Sequence, residues 1–128
     1  MRRLVLATLA TLSAAGFGAV VAASPASAAT TTRLTLSVQA ESGARRTVTL
    51  YCDPARGKHP LAAAACAELA RAKGNAAAIP DGDGFCTMEY APVTARLSGV
   101  YKGRTVKYKE TFSNGCALGV GTGSVFRF

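Results

Sequence analysis

The sequence predicts an α+β domain: a five-stranded antiparallel sheet with one main helix on one face, room for a short second helix, and two disulfides. Three observations predict it. Short stretches alternate apolar and polar residues with the period of two that marks half-buried strands. One stretch instead spaces its apolar residues for a helix. The 128-residue chain carries four cysteines, and an even count in a small exported chain marks a disulfide framework.

The chain opens with Arg2 and Arg3, and an uncharged run from Leu4 to Thr32 follows. The run thins into Ala23-Ser24-Pro25-Ala26-Ser27-Ala28, a basic start, apolar middle and small-residue end that read as a secretory leader cut after Ala28. A membrane anchor fits less well, because Gly16, Gly18, Pro25 and many alanines weaken the apolar run. Residues 29–128 are then one exported domain. Removing 28 residues from 128 leaves 100, enough for one modest core. Leaving out Arg2 and Arg3, the 15 basic residues become 13 against 7 acidic, a net charge of +6 with both signs interspersed.

In the domain, Arg33 to Gln39 alternates with Leu34, Leu36 and Val38 on one face. Glu41 to Arg46 supplies a turn around Gly43, and Thr47 to Cys52 alternates again, so the two strands form a hairpin. Asp53 to Pro60 is a loop. Leu61 to Lys73 is the helix: Leu61, Ala65, Cys66 and Leu69 share its inner face, with Pro60 at its start and Gly74 as its left-handed cap. Asn75 to Asp83 shows no period. Val93 to Tyr101 and Thr105 to Phe112 are strands joined by a tight turn around Gly103. Ser113 to Gly123 reads as a loop with room for one helical turn, and Ser124 to Phe128 as the fifth strand.

Most chemistry fails for want of partners. His59 is the single histidine, in a loop beside Pro60, and is expected to be solvated. No serine sits in a Gly-x-Ser-x-Gly elbow, and oxidised cysteines offer no thiolate. The cysteine gaps of 14, 20 and 30 residues hold no close pair for zinc. Asp81-Gly82-Asp83-Gly84 begins like a calcium loop, but Phe85 and Pro92 stand where its later oxygen ligands belong, so a turn is the better reading. No cofactor or metal is expected, and the chain is not read as an enzyme. Lys102, Arg104, Lys107 and Lys109 make a cationic hairpin. It permits an extracellular module that binds polyanions, yet a cationic solvent face that discourages edge pairing explains it too.

The segment Gly84 to Val93, GFCTMEYAPV, remains. Met88 is long, apolar and adaptable, and suits a broad hydrophobic pocket. Phe85 could fill a second pocket, and Pro92 keeps the chain extended at Ala91. Such a segment suits recognition by a protease, with Phe85, Cys86, Thr87 and Met88 on the acyl side of a Met88–Glu89 bond and Tyr90 beyond it. A disulfide at Cys86 would brace the loop. The four cysteines allow three connectivities, and their spacing does not choose among them.

The stretches VTLYC (48–52), HP (59–60) with ACAELA (65–70), CTMEYAPV (86–93) and FSNGCALGVGTGSVFRF (112–128) resemble the successive landmarks of the Streptomyces subtilisin inhibitor family. The resemblance covers most of the domain. It implies a secreted inhibitor of subtilisin-like serine endopeptidases, with trypsin- or chymotrypsin-like enzymes as weaker targets. It implies Met88 as the primary specificity residue, Met88–Glu89 as the reactive bond, and the disulfides Cys52–Cys66 and Cys86–Cys116. It also implies a homodimer formed through the sheet. Asn114, close to Cys116, is expected to support the loop from beneath. Neither nucleic acid nor, once the leader is removed, a membrane is an expected partner.

Overall fold

Strands β1 (Thr32–Ala40) and β2 (Arg45–Cys52) pair antiparallel and set the core face of the sheet, with Leu34 opposite Leu50 and Leu36 opposite Val48. The turn between them places Gly43 at φ +90°, and its N–H donates to the Ala40 carbonyl at 2.9 Å. A positive φ costs glycine nothing. The computed structural model describes residues 18–20 and 31–128. The cut expected after Ala28 lies outside the described residues, as does all of the leader except residues 18–20. Among the described residues, no helix is long and apolar enough to cross a membrane.

The sheet has five strands in the order β3-β2-β1-β4-β5, with β3 at Arg56–Gly57, β4 at Val93–Tyr101 and β5 at Arg104–Phe112. Every pairing is antiparallel. In the register, Leu36 faces Leu97, Val38 faces Ala95, and Leu97 faces Tyr108, so apolar side chains line one face from β2 to β5. Leu34, Leu36, Leu50, Ala95 and Leu97 are fully or almost fully buried there.

Helix α1 (Ala62–Arg71) packs over this face, chiefly on β2, with Ala65 and Leu69 buried. The Cys52–Cys66 disulfide, Cα atoms 5.6 Å apart, fixes it to β2. Gly74, at φ +79°, closes the helix by donating its N–H to the Leu69 carbonyl at 2.8 Å. The start differs from expectation. Leu61 is the N-cap and 41 % exposed, so neither Pro60 nor Leu61 begins the helix, and Leu61 does not join its inner face.

Two further expectations are corrected. Ser124–Phe128 is not a strand. Its N–H groups are used in turns, Val125 to the Thr122 carbonyl and Arg127 to the Ser124 carbonyl, and Ser124 N–H goes to the Glu68 carboxylate at 2.7 Å. Those groups are unavailable for a ladder, while Val125 and Phe126 plug the core. The fifth strand is the two-residue β3, inside the segment expected to be loop. Its Gly57 sits at φ +111°, where a Cβ would collide with the Thr49 carbonyl. The segment expected to hold one helical turn instead forms helix α2 (Gly115–Thr122).

His59 is buried rather than solvated. Its Nδ1 accepts from the Leu61 N–H at 2.9 Å, which leaves Nε2–H to donate to the Val125 carbonyl at 2.9 Å. The ring thus joins the start of α1 to the C-terminal segment.

Candidate functional site

Between the 3-10 turn at Ala76–Ala78 and β4, the chain runs without regular secondary structure. This segment carries the largest apolar exposures of the domain: Phe85 at 106 %, Met88 at 99 % and Tyr90 at 77 %. Thr87 and Glu89 are exposed too, and Cys86 is half-buried. Met88 therefore plugs no core gap. Three large side chains left in water within six residues mark an interaction surface, since burial of each would otherwise stabilise the fold by about 1.5–3 kcal/mol.

The segment is exposed but anchored, and α2 with the two residues before it holds each anchor. Upstream, Gly82 N–H donates to the Val120 carbonyl at 2.8 Å. Gly84 passes so close to Val120 that a Cβ would stand 2.9 Å from its Cγ2. Cys86 is bonded to Cys116, Cα atoms 5.7 Å apart. Downstream, Ala91 N–H donates to the Ser113 carbonyl at 2.9 Å, just before the half-buried Pro92 turns the chain into β4.

Asn114 stands beneath the middle. It is buried, and its side-chain Nδ2 donates to the Thr87 carbonyl at 3.2 Å and to the Glu89 carbonyl at 2.8 Å. Its Oδ1 accepts from the Ala117 N–H at 2.8 Å and so caps α2. One amide thus uses both ends, a helix cap on one and a clamp on the other. The clamped carbonyls flank Met88, and neither bond goes to the Met88 carbonyl itself. The arrangement holds the backbone on both sides of residue 88 while presenting the Met88–Glu89 peptide and the Met88 side chain outward.

All four cysteines are in disulfides, paired as the resemblance implies. Among the described residues no group of three or more His, Cys, Asp or Glu side chains gathers where it could hold a metal ion. Lys102, Arg104, Lys107 and Lys109 lie exposed along the β4–β5 hairpin, and β5 is an edge strand. Sequence reasoning found the exposed segment, its cysteine and Asn114. It missed the anchors at Val120 and Ser113 because it allowed only one helical turn where the eight-residue α2 stands. The one available signal was Asn114 itself, a favoured N-cap residue, set before CALG.

A family model described as subtilisin inhibitor-like matches residues 28–114, more than half of the chain. Subtilisin inhibitor-like protein 2 of Streptomyces rochei is 48 % identical over 111 residues, covering 81 % of this chain and 98 % of that protein. A subtilase-type protease inhibitor of Streptomyces coelicolor is 51 % identical over 85 residues, 65 % of this chain and 59 % of that protein. Among solved structures, sermetstatin of Streptomyces caespitosus, in a crystal structure with Bacillus licheniformis subtilisin, superposes with a TM-score of 0.62 and 34 % identity. The match covers 77 % of this chain and 99 % of that one.

Proposed function

The chain belongs to the subtilisin inhibitor-like family, and we propose that it inhibits subtilisin-like serine endopeptidases by offering the Met88–Glu89 bond as a substrate that is hardly turned over. The observation that carries this reading is Met88, wholly exposed, on a backbone clamped by Asn114 and bonded through Cys86 to Cys116. Thr87 to Tyr90 enter the protease cleft. Met88 fills the primary pocket, Phe85 an outer one, and Glu89 and Tyr90 lie on the leaving side. A complex of this kind buries roughly 1,600 Å² in total.

The clamp explains inhibition in place of digestion. A free peptide loses conformational entropy when it docks, and this loop has lost most of it already. If the bond is cut, Cys86–Cys116 keeps the acyl side on α2. The bonds at Glu89 and Ala91 keep the new amine beside it. The amine then attacks the acyl-enzyme at high effective concentration, and resealing outpaces release. In this reading the chain is a ligand of an enzyme and not itself an enzyme. The cationic β4–β5 hairpin is a solvated edge that discourages strand addition, and no polyanion is needed to account for it.

The test is incubation with subtilisin at equal concentration, with the slow cut located by mass at Met88–Glu89. Met88→Lys should move inhibition toward trypsin, whose primary pocket holds an acid, by at least about 100-fold in relative inhibition constant. An unchanged preference would remove Met88 from its role. Export through the 1–28 leader, release of residues 29–128 outside the cell and weaker inhibition of trypsin- or chymotrypsin-like enzymes belong to the same proposal. N-terminal sequencing of the exported chain reads the cut. A homodimer formed on the sheet face opposite the helices, where Thr35, Ser98 and Val100 lie uncovered, belongs to the same proposal. Sedimentation of the folded domain measures it.

A further inference from the structure

We infer that Met88 is a redox modification site: oxidation of its thioether by a hydroperoxide switches the inhibitor off, and reduction restores it. The inference rests on the proposed role of Met88 and adds a regulation to that site.

The observations are the exposure of the side chain and the state of every other sulfur. Met88 is 99 % exposed, so a peroxide reaches the sulfur as readily as it reaches free methionine. Met1, the other methionine of the chain, lies in the leader. The four cysteines are all in disulfides, which removes the thiolates that peroxide attacks first. In the folded domain Met88 is therefore the preferred target. The step balances with one hydrogen peroxide. The sulfur lone pair takes one oxygen atom, the O–O bond breaks, sulfur loses two electrons and the second oxygen leaves as water. A dithiol reverses it, forming a disulfide and water.

The consequence follows from where this sulfur goes. In the complex the Met88 side chain enters an apolar pocket, and a sulfoxide brings a strong hydrogen-bond acceptor that the pocket leaves without a partner. The loop clamp involves no Met88 side-chain atom, so the fold and the bracing survive while the anchor is spoiled. Once seated in the protease the thioether is shielded, so peroxide acts on free inhibitor and releases protease activity by depleting it.

The experiment treats the folded domain, disulfides intact, with dilute hydrogen peroxide and maps the added oxygen by peptide mass. The expected result is one oxygen in the peptide holding Met88, with inhibition of subtilisin weakened on the order of 100-fold. Methionine sulfoxide reductase should restore it. Met88→Leu, whatever its own inhibition constant, should not respond to peroxide. If the sulfoxide form inhibits within about twofold of the parent, or the leucine variant loses inhibition under peroxide to the same degree, the inference is overturned and the inhibitor reading stands. If the untreated protein does not inhibit subtilisin, the inhibitor reading falls and takes this inference with it.

Discussion

Asn114 shows how much one side chain can hold. Its Oδ1 serves helix α2 and its Nδ2 serves two loop carbonyls. The two duties separate by substitution. Asn114→Asp keeps the acceptor for Ala117 N–H but removes both donors and sets a carboxylate against two carbonyl oxygens. At about 1 kcal/mol for each lost hydrogen bond, subtilisin should cut Met88–Glu89 roughly 30-fold faster. Asn114→Ala should add about 1 kcal/mol of destabilisation through the lost cap. Cleavage rates and melting curves of both variants check this, and a parent-like cutting rate in Asn114→Asp would remove Asn114 from the clamp. Met88, by contrast, was legible in the sequence as an apolar residue among polar and turn-forming ones. The sequence left open whether it points in or out, because methionine serves as well in a core gap as in a partner's pocket.

At the scale of elements, α2 is the platform on which the loop rests, and it was the hardest element to read. Gly115, Gly119 and Gly121 lower its helix propensity, and no apolar stripe marks it. It forms because Asn114 caps it, Cys116 is bonded to the loop, and Leu118 and Thr122 are buried. The same blindness made Ser124–Phe128 look like a strand. Its competing hydrogen-bond partners, Glu68 and His59, lie more than fifty residues away in sequence. The Cys86–Cys116 bond gives the platform its grip. Replacing both cysteines with serine should leave the sheet and α1 folded and cost about 3–4 kcal/mol by the loop-entropy estimate. It should also turn the inhibitor into a substrate, because the acyl side of the cut bond is no longer held. A time course of cleavage by subtilisin checks it; a double variant that resists as long as the parent speaks against the disulfide's part in resealing.

For the molecule as a whole, the sheet is covered on one face and carries its exposed, anchored segment at one end, where β4 begins. The stability of this unit has a pH dependence that can be read from Tyr108. Burial first, then the hydrogen bond to Glu110 and its charge, push the Tyr108 hydroxyl above the ordinary tyrosine range. The unfolded chain releases that proton near pH 10 while the folded one keeps it. Stability from this group is thus complete below about pH 10 and falls as pH rises beyond it. Tyr108→Phe keeps the ring against Phe126 and should flatten that part of the decline. Urea unfolding between about pH 9 and pH 11 compares the two; parallel slopes would show that Tyr108 contributes nothing.

By itself the sequence determined the four long strands and the main helix. These follow from periods of two and 3.6 residues, which are local and survive without knowledge of the fold. Tertiary structure alone decided the direction of Met88, the extent of α2, the course of the C-terminal segment and the burial of His59. Each depends on a hydrogen bond or disulfide to a residue distant in sequence, and nothing in the local pattern says which distant group will arrive.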